Sequence, residues 1–245
     1  MSRPSALVVR GPGTNRDHDA AFALDLAGAE PRIALVGELV ERPELVREAR
    51  LIVVAGGFSY ADALGAGRLL ALDLSSAALG DELAAFVAAG RPVLGICNGF
   101  QALVRSGLLP GAGRHVALGH NESGRFDCRW VSLTPRSSRC IWTSTLDGGI
   151  DCPIAHGEGR FTCDDETFAA LTDGDQIALT YAGRNPNGSR GDVAGICDPT
   201  GVVLGLMPHP ENHVVPRQHP RAGRATAGGL GLQLFEAGVR HAKEL

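Results

Sequence analysis

Residues 93–106 read Val93-Leu94-Gly95-Ile96-Cys97-Asn98-Gly99-Phe100-Gln101-Ala102-Leu103-Val104-Arg105-Ser106, and the change of pattern at Cys97 decides the fold. Val93 to Ile96 has the composition of a strand buried on both faces. From Gly99 to Ser106 the spacing becomes helical, which places Cys97 at a strand-to-helix junction. Upstream the same alternation repeats. Ala6 to Val9 reads as a strand, a Gly-Pro-Gly turn follows, and Asp17 to Ala27 reads as a helix. Arg32 to Val36 and Leu51 to Ala55 read as further strands, and Ala77 to Ala89 as a helix ending at Gly90 before Pro92. Short apolar runs separated by helices are the mark of a parallel sheet with crossover helices.

Downstream the character changes. Phe126 to Leu133 alternates in the manner of an antiparallel strand at the edge of that sheet. Asp164 to Leu171 reads as a capped helix, Gln176 to Tyr181 as a strand, and Val193 to Cys197 with Val202 to Met207 as a hairpin around Asp198 to Gly201. A last helix is expected over Gly228 to Lys243, after a basic, polar loop at Arg217 to Ala227 that is expected to be mobile. The expected fold is α/β, a mostly parallel central sheet with flanking helices and added antiparallel strands, in a single domain over residues 1–245.

Composition narrows the function. Of 245 residues, 44% are hydrophobic and 20% charged, enough to bury a core, and a net charge of -4 without long runs of one sign argues against nucleic acid as a partner. The apolar runs are far shorter than the roughly 20 residues that cross a bilayer, and the N-terminus lacks a signal-peptide pattern, so the expected location is the cytoplasm, away from membranes. Cys97, Cys128, Cys140, Cys152, Cys163 and Cys197 form no C-x-x-C pair and no zinc spacing, so no metal site is expected and most of the thiols are read as reduced and structural. The 33 glycines are about twice the ordinary share of roughly 7% and sit at the ends of apolar runs, where tight turns and close backbone approaches need them.

Gly95-Ile96-Cys97-Asn98-Gly99 has the glycine spacing of a nucleophile elbow, with cysteine in place of serine. The alternative is a buried cysteine in a glycine-rich turn. Flanking glycines allow the strained turn because a Cβ would strike neighbouring backbone, and the start of the following helix favours a thiolate. A base is then required. His209, in Met207-Pro208-His209-Pro210-Glu211, is the leading candidate. The prolines are expected to hold the segment extended, so that Glu211 faces the same way and fixes the imidazole tautomer. His115, His120 and His156 compete, the last with Glu158 at the same spacing. Oxyanion donors are available from the N–H of Asn98 and from Gly56-Gly57-Phe58, after the strand at 51–55. Both lie at carboxyl ends of strands, where such sheets place their sites.

These segments, with Ala55-Gly56-Gly57-Phe58-Ser59-Tyr60, resemble the class I (triad) glutamine amidotransferases, a flavodoxin-like group. Asn121 to Phe126, Pro153 to Phe161, Asn185 to Ser189 and Pro12 to Asn15 narrow the resemblance to the glutaminase component of phosphoribosylformylglycinamidine synthase. The resemblance runs from about residue 7 to 240. It implies Cys97 as nucleophile, His209 as base and Glu211 as its orienting partner, hydrolysing the glutamine side-chain amide through a thioester. Ammonia would pass to a separate synthetase subunit that makes formylglycinamidine ribonucleotide in purine biosynthesis. A small accessory subunit could join that complex. ATP and magnesium would belong to the partner, with no cofactor in this chain. The resemblance places Gln101 near the substrate, where a solvent-facing helix residue is the plain alternative, and gives Asn121 to Phe126 backbone contacts to the amino-acid end, with Phe126 among them. His156 and Glu158 are left between an inter-subunit or ammonia-passage role and a structural turn. Ala55, Ala61 and Gly65 depart from the family's proline, glycine and arginine, and the last puts a charged contact in question. An amidotransferase for another acceptor and a non-catalytic module of the same fold are the alternatives. The intact triad argues against the second.

Overall fold

The computed structural model of the chain describes residues 2–222 and 228–245. Its first half runs β1 (Ser5–Arg10), α1 (Asp17–Leu26), β2 (Glu30–Leu35), α2 (Val36–Glu41), α3 (Glu44–Glu48), β3 (Leu51–Val54), α4 (Arg68–Leu74), α5 (Gly80–Ala88), β4 (Val93–Ile96) and α6 (Asn98–Arg105). The second half adds β5 (Ala117–His120), β6 (Asp127–Pro135), β7 (Ile150–His156), β8 (Glu158–Thr162), α7 (Asp165–Asp173), β9 (Ile177–Ala182), β10 (Val193–Cys197), β11 (Val203–Leu206) and α8 (Leu232–Glu244).

Among the described residues, nine strands form one sheet in the order β2-β1-β3-β4-β11-β10-β9-β6-β7, and β5 pairs with β8 in a separate ribbon. Pairing is parallel from β2 through β11 and antiparallel from β11 to β7. The parallel part has the doubly wound order of flavodoxin-like folds, with antiparallel strands added on one side as expected. Every residue of β3 and β4 is buried, as their unbroken apolar sequences require. Helix α6 lies directly on the sheet because glycine removes the obstacle. A Cβ on Gly99 would sit 2.0 Å from the Val54 carbonyl oxygen, and one on Gly205 would sit 2.0 Å from the Phe100 ring.

Several expectations shift. The second strand starts at Glu30, since its pairing with β1 runs Ser5↔Glu30 to Arg10↔Leu35, and Val36 opens a helix instead. The helix expected over 77–89 shortens to α5. The last helix begins at Leu232, not at Gly228, because the segment before it is drawn to β7: Asp151 N donates to Gly229 O (3.0 Å), and Gly228 N to Asp151 Oδ2 (2.9 Å). The cap at Asp164 is as expected, accepting from Thr167 N at 2.7 Å. In the basic loop, residues 216–218 form a 3-10 turn, and 223–227, part of the segment expected to be mobile, lie outside the described residues. No helix among the described residues is long and apolar enough to cross a membrane.

Candidate active site

The elbow is built as its glycines suggest. Cys97 has φ +49° and ψ -104°, a conformation L-residues rarely adopt, and is held there from both sides. Its N–H donates to Leu206 O (2.8 Å), and its carbonyl accepts from Gln101 N (3.0 Å). A Cβ on Gly95 would lie 2.9 Å from Gly99 O, so the flanking glycines are required by close backbone approach.

His209 follows β11, the strand next to β4, so the sheet itself brings it beside Cys97. Its N–H donates to Pro153 O (2.8 Å), and its Nδ1 lies 2.7 Å from Glu211 Oε1, both side chains being buried. The pairing is the expected one, but the backbone is not extended: Pro210–Asn212 forms a single 3-10 turn that carries Glu211 back onto the ring. With Nδ1 committed to the carboxylate, Nε2 has no hydrogen-bond partner among the described residues and is free to serve the thiol. Burial alone would lower the affinity of His209 for a proton. The Glu211 carboxylate and then Cys97 outweigh it and raise the pKa to about 10. The ring also presses on bare backbone, since a Cβ on Gly56 would lie 2.9 Å from its Cε1.

The loop after β3 carries the other expected donors. Gly57 has φ +134°, and a Cβ there would strike Asn15 N and Oδ1 at 2.7 Å. That contact belongs to a bridge between Thr14 and Gly57, so the segment after β1 buttresses the loop. The Asn98 side chain binds the loop to the elbow. Its Oδ1 accepts from Ser59 Oγ (2.5 Å) and Ser59 N (3.3 Å), and its Nδ2 donates to Asp62 Oδ1 and Gln101 Oε1 (both 3.2 Å). Sequence reasoning used only the Asn98 backbone, because the side chain's partners lie in a distant loop. Tyr60, Ala61 and Asp62 all have φ between 53° and 54°, three successive left-handed residues without a glycine. Beside Gly65, where arginine was expected, Arg105 from α6 brings its guanidinium within 3.8 Å of the position a Cβ would take.

A cavity of about 210 Å³ opens on this machinery, and Gly57, Phe58, Cys97, Gln101 and Phe126 all line it. His209, Glu211 and Asn98 are buried and are not among its lining residues. Gln101 is not solvent-facing: it is buried, and its Nε2 donates to Glu158 O. Phe126 and Phe58 are exposed at the rim, ring centroids 6.4 Å apart. Asp62 and Glu158 also line the cavity, and burial followed by the Glu158 charge raises the Asp62 pKa. Asp62 was missed as a site residue, although it sits in the same run as Phe58. Of the competing histidines, only His156 is buried against the cavity, its Nδ1 3.0 Å from Asn121 Oδ1. No group of three or more His, Cys, Asp or Glu side chains among the described residues is placed to hold a metal ion.

Comparison with known proteins gives consistent matches along the chain. The family described as CobB/CobQ-like glutamine amidotransferase domain matches residues 3–242. Phosphoribosylformylglycinamidine synthase subunit PurQ of Treponema denticola is 48% identical over 268 residues, covering 98% of this chain and 99% of the relative. The subunit of the same name from Dehalococcoides mccartyi is 39% identical over 257 residues, with both chains fully covered. In the structure of PurLQS from Thermotoga maritima, one chain superposes with a TM-score of 0.77 at 33% identity, covering 97% of this chain and 98% of that one.

Proposed function

The chain belongs to the CobB/CobQ-like glutamine amidotransferase family, and from that premise we propose that it is the glutaminase subunit of a phosphoribosylformylglycinamidine synthase. It releases ammonia from glutamine and supplies it to a synthetase subunit that makes formylglycinamidine ribonucleotide in purine biosynthesis, in a complex that includes a small accessory subunit. ATP and magnesium are used on the synthetase, and residues 1–245 act as one amidotransferase domain. The observation that carries the reading is the strained Cys97 elbow beside a buried imidazole held by a carboxylate 2.7 Å away.

The chemistry follows from those positions. His209 holds the thiol's proton at Nε2 while the Cys97 sulfur attacks the carboxamide carbon, and the carbonyl oxygen gains negative charge opposite the N–H groups of Gly57, Phe58 and Asn98. When the C–N bond breaks, the departing nitrogen takes the proton from His209 and leaves as ammonia. Water then attacks the thioester with His209 again as base, releasing glutamate and restoring the thiol. Glu211 keeps the proton-accepting nitrogen turned to sulfur throughout. Gln101 and Phe126 hold the substrate within the cavity.

The test is the intact mass after exposure to a glutamine-mimicking electrophile, with and without excess glutamine, beside Cys97→Ala, on the chain alone and with its synthetase partner. One adduct, blocked by glutamine and missing in the variant, is the expected result. Labelling of another cysteine, or none even with the partner present, overturns the assignment.

A further inference from the structure

Glu211 is fully buried and is tied through one oxygen. Oε1 meets His209 Nδ1 at 2.7 Å, whereas Oε2 has no hydrogen-bond partner among the described residues. Without a second tie, the place of the carboxylate depends on the backbone that carries it, the 3-10 turn Pro210–Asn212. A turn of three residues has little hydrogen bonding of its own, and two side chains anchor this one. On one side Asn212 Nδ2 donates to Asp19 Oδ2 (3.0 Å), but that carboxylate is 39% exposed and shared with Arg16, so water competes for it. On the other side stands His213, only 2% exposed, with its Nδ1 2.5 Å from the Asp151 carbonyl oxygen. A carbonyl can only accept, so Nδ1 carries the proton and donates it.

One strand therefore holds both ends of the segment that bears the base and its partner. Pro153 O accepts from His209 N (2.8 Å), and two residues earlier in β7 Asp151 O accepts from His213. Asp151 is itself fixed: its carboxylate accepts from Ser132 Oγ (2.6 Å) and Gly228 N (2.9 Å), and its N–H donates to Gly229 O (3.0 Å). The His213 ring is walled by Trp130, edge-on at 5.1 Å between centroids, and by His219 at 5.3 Å. We propose that His213 is a positioning residue for the reaction, its hydrogen bond to the Asp151 carbonyl holding the turn where Glu211 meets His209. This rests on the glutaminase reading of the site and deepens it, because the proton held by His209 then depends on a side chain outside the catalytic triad.

Burial opposes the proton on His209, and the Glu211 carboxylate first, then Cys97, overcome it; the neighbouring His156 also faces this ring. A turn that lets Glu211 drift lowers the pKa of His209, and the alkaline limb of the kcat/KM profile moves down with it. The test is the pH profile of glutamate release in the complex with the synthetase, for two variants. His213→Phe keeps a ring and loses the donor, whereas His213→Asn loses the ring and places an amide N–H at the position of Nδ1. In His213→Phe, kcat is expected to fall roughly tenfold to a hundredfold with KM within about threefold, and the alkaline limb to fall by about one pH unit or more. In His213→Asn, kcat is expected to return to within about threefold of wild type and the limb to within about 0.3 pH unit. Equal losses in the two variants, or a lower kcat with the limb unmoved, would make His213 merely structural and overturn the inference, as would wild-type behaviour of His213→Phe. If His213→Phe does not fold, His213→Asn decides alone: a limb at the wild-type position upholds the role of the donor, and a displaced one overturns it. A wild-type complex inert toward glutamine would instead overturn the underlying reading of the site.

Discussion

Replacing Gly56 by alanine should cripple turnover while leaving the chain folded. Gly56 has none of the positive φ of its neighbour Gly57, so the backbone itself admits a Cβ. That carbon would lie 2.9 Å from His209 Cε1, 3.4 Å from its Nδ1 and 3.2 Å from the Ile96 carbonyl. Ordinary carbon contacts lie at about 3.5–4.0 Å, so the imidazole must withdraw by roughly 0.6–1 Å. It cannot do so freely, because Glu211 holds Nδ1 at 2.7 Å and Pro153 O holds the backbone N–H at 2.8 Å. A misplacement of about 1 Å in a reacting group costs on the order of a hundredfold. In initial-rate assays of glutamate release by the complex, kcat should fall roughly 30- to 100-fold with KM within about threefold. Overpacking should cost about 1–3 kcal/mol, a drop in Tm of roughly 2–10 °C for a chain of this size. A variant within about twofold of wild-type kcat and with an unchanged Tm would refute the reasoning, for it would show that the ring has room the geometry denies it.

Other outcomes follow from the same contacts. Ala61→Gly should raise Tm by about 1–3 °C in calorimetry, since Ala61 at φ +53° carries a left-handed strain of roughly 1–2 kcal/mol that glycine avoids at some entropic cost; a lower Tm would count against it. Asn98→Ala should destabilise by about 1–3 kcal/mol in denaturant titration and reduce kcat, because Ser59, Asp62 and Gln101 each lose a partner; normal turnover would show that the loop holds its place without the tie. His156 gives a pH dependence. Above about pH 6.5 it is neutral in both states; between about 6.5 and about 4 the unfolded chain takes the proton first, so stability declines as pH falls, and below about 4 this contribution is flat. The full effect is about 3 kcal/mol, and the difference in denaturant midpoint between pH 7 and pH 4.5 should shrink in His156→Gln; an undiminished difference would show that His156 is not its source.

What could be read from the chain was what its own neighbourhood determines. The buried runs of β3 and β4 and the glycines around Cys97 act within a few residues, and all were legible. The pairing of His209 with Glu211 was legible too, though for the wrong reason, as a 3-10 turn and not an extended segment brings them together. Strand β7 escaped notice because Asp151 and Pro153 spoil its pattern, while its formation depends on pairing with β6 and its place at the sheet's edge tolerates the proline. Helices α2 and α3, of six and five residues, are too short to display a period. The Asn98 tie and the seat of His209 on Gly56 join loops that meet only once the sheet has formed.

The order of strands also sets a timetable for synthesis. Cys97 follows β4 and His209 follows β11, and β11 is hydrogen-bonded between β4 and β10. A nascent chain that has emerged only as far as β10 leaves an apolar β4 with one edge unpaired, open to another chain. The strand that closes this edge is followed within a few residues by His209, the base of the proposed mechanism. Protection from misassembly and capacity for chemistry therefore arrive together, late in translation, and a ribosome stalled before residue 203 releases neither.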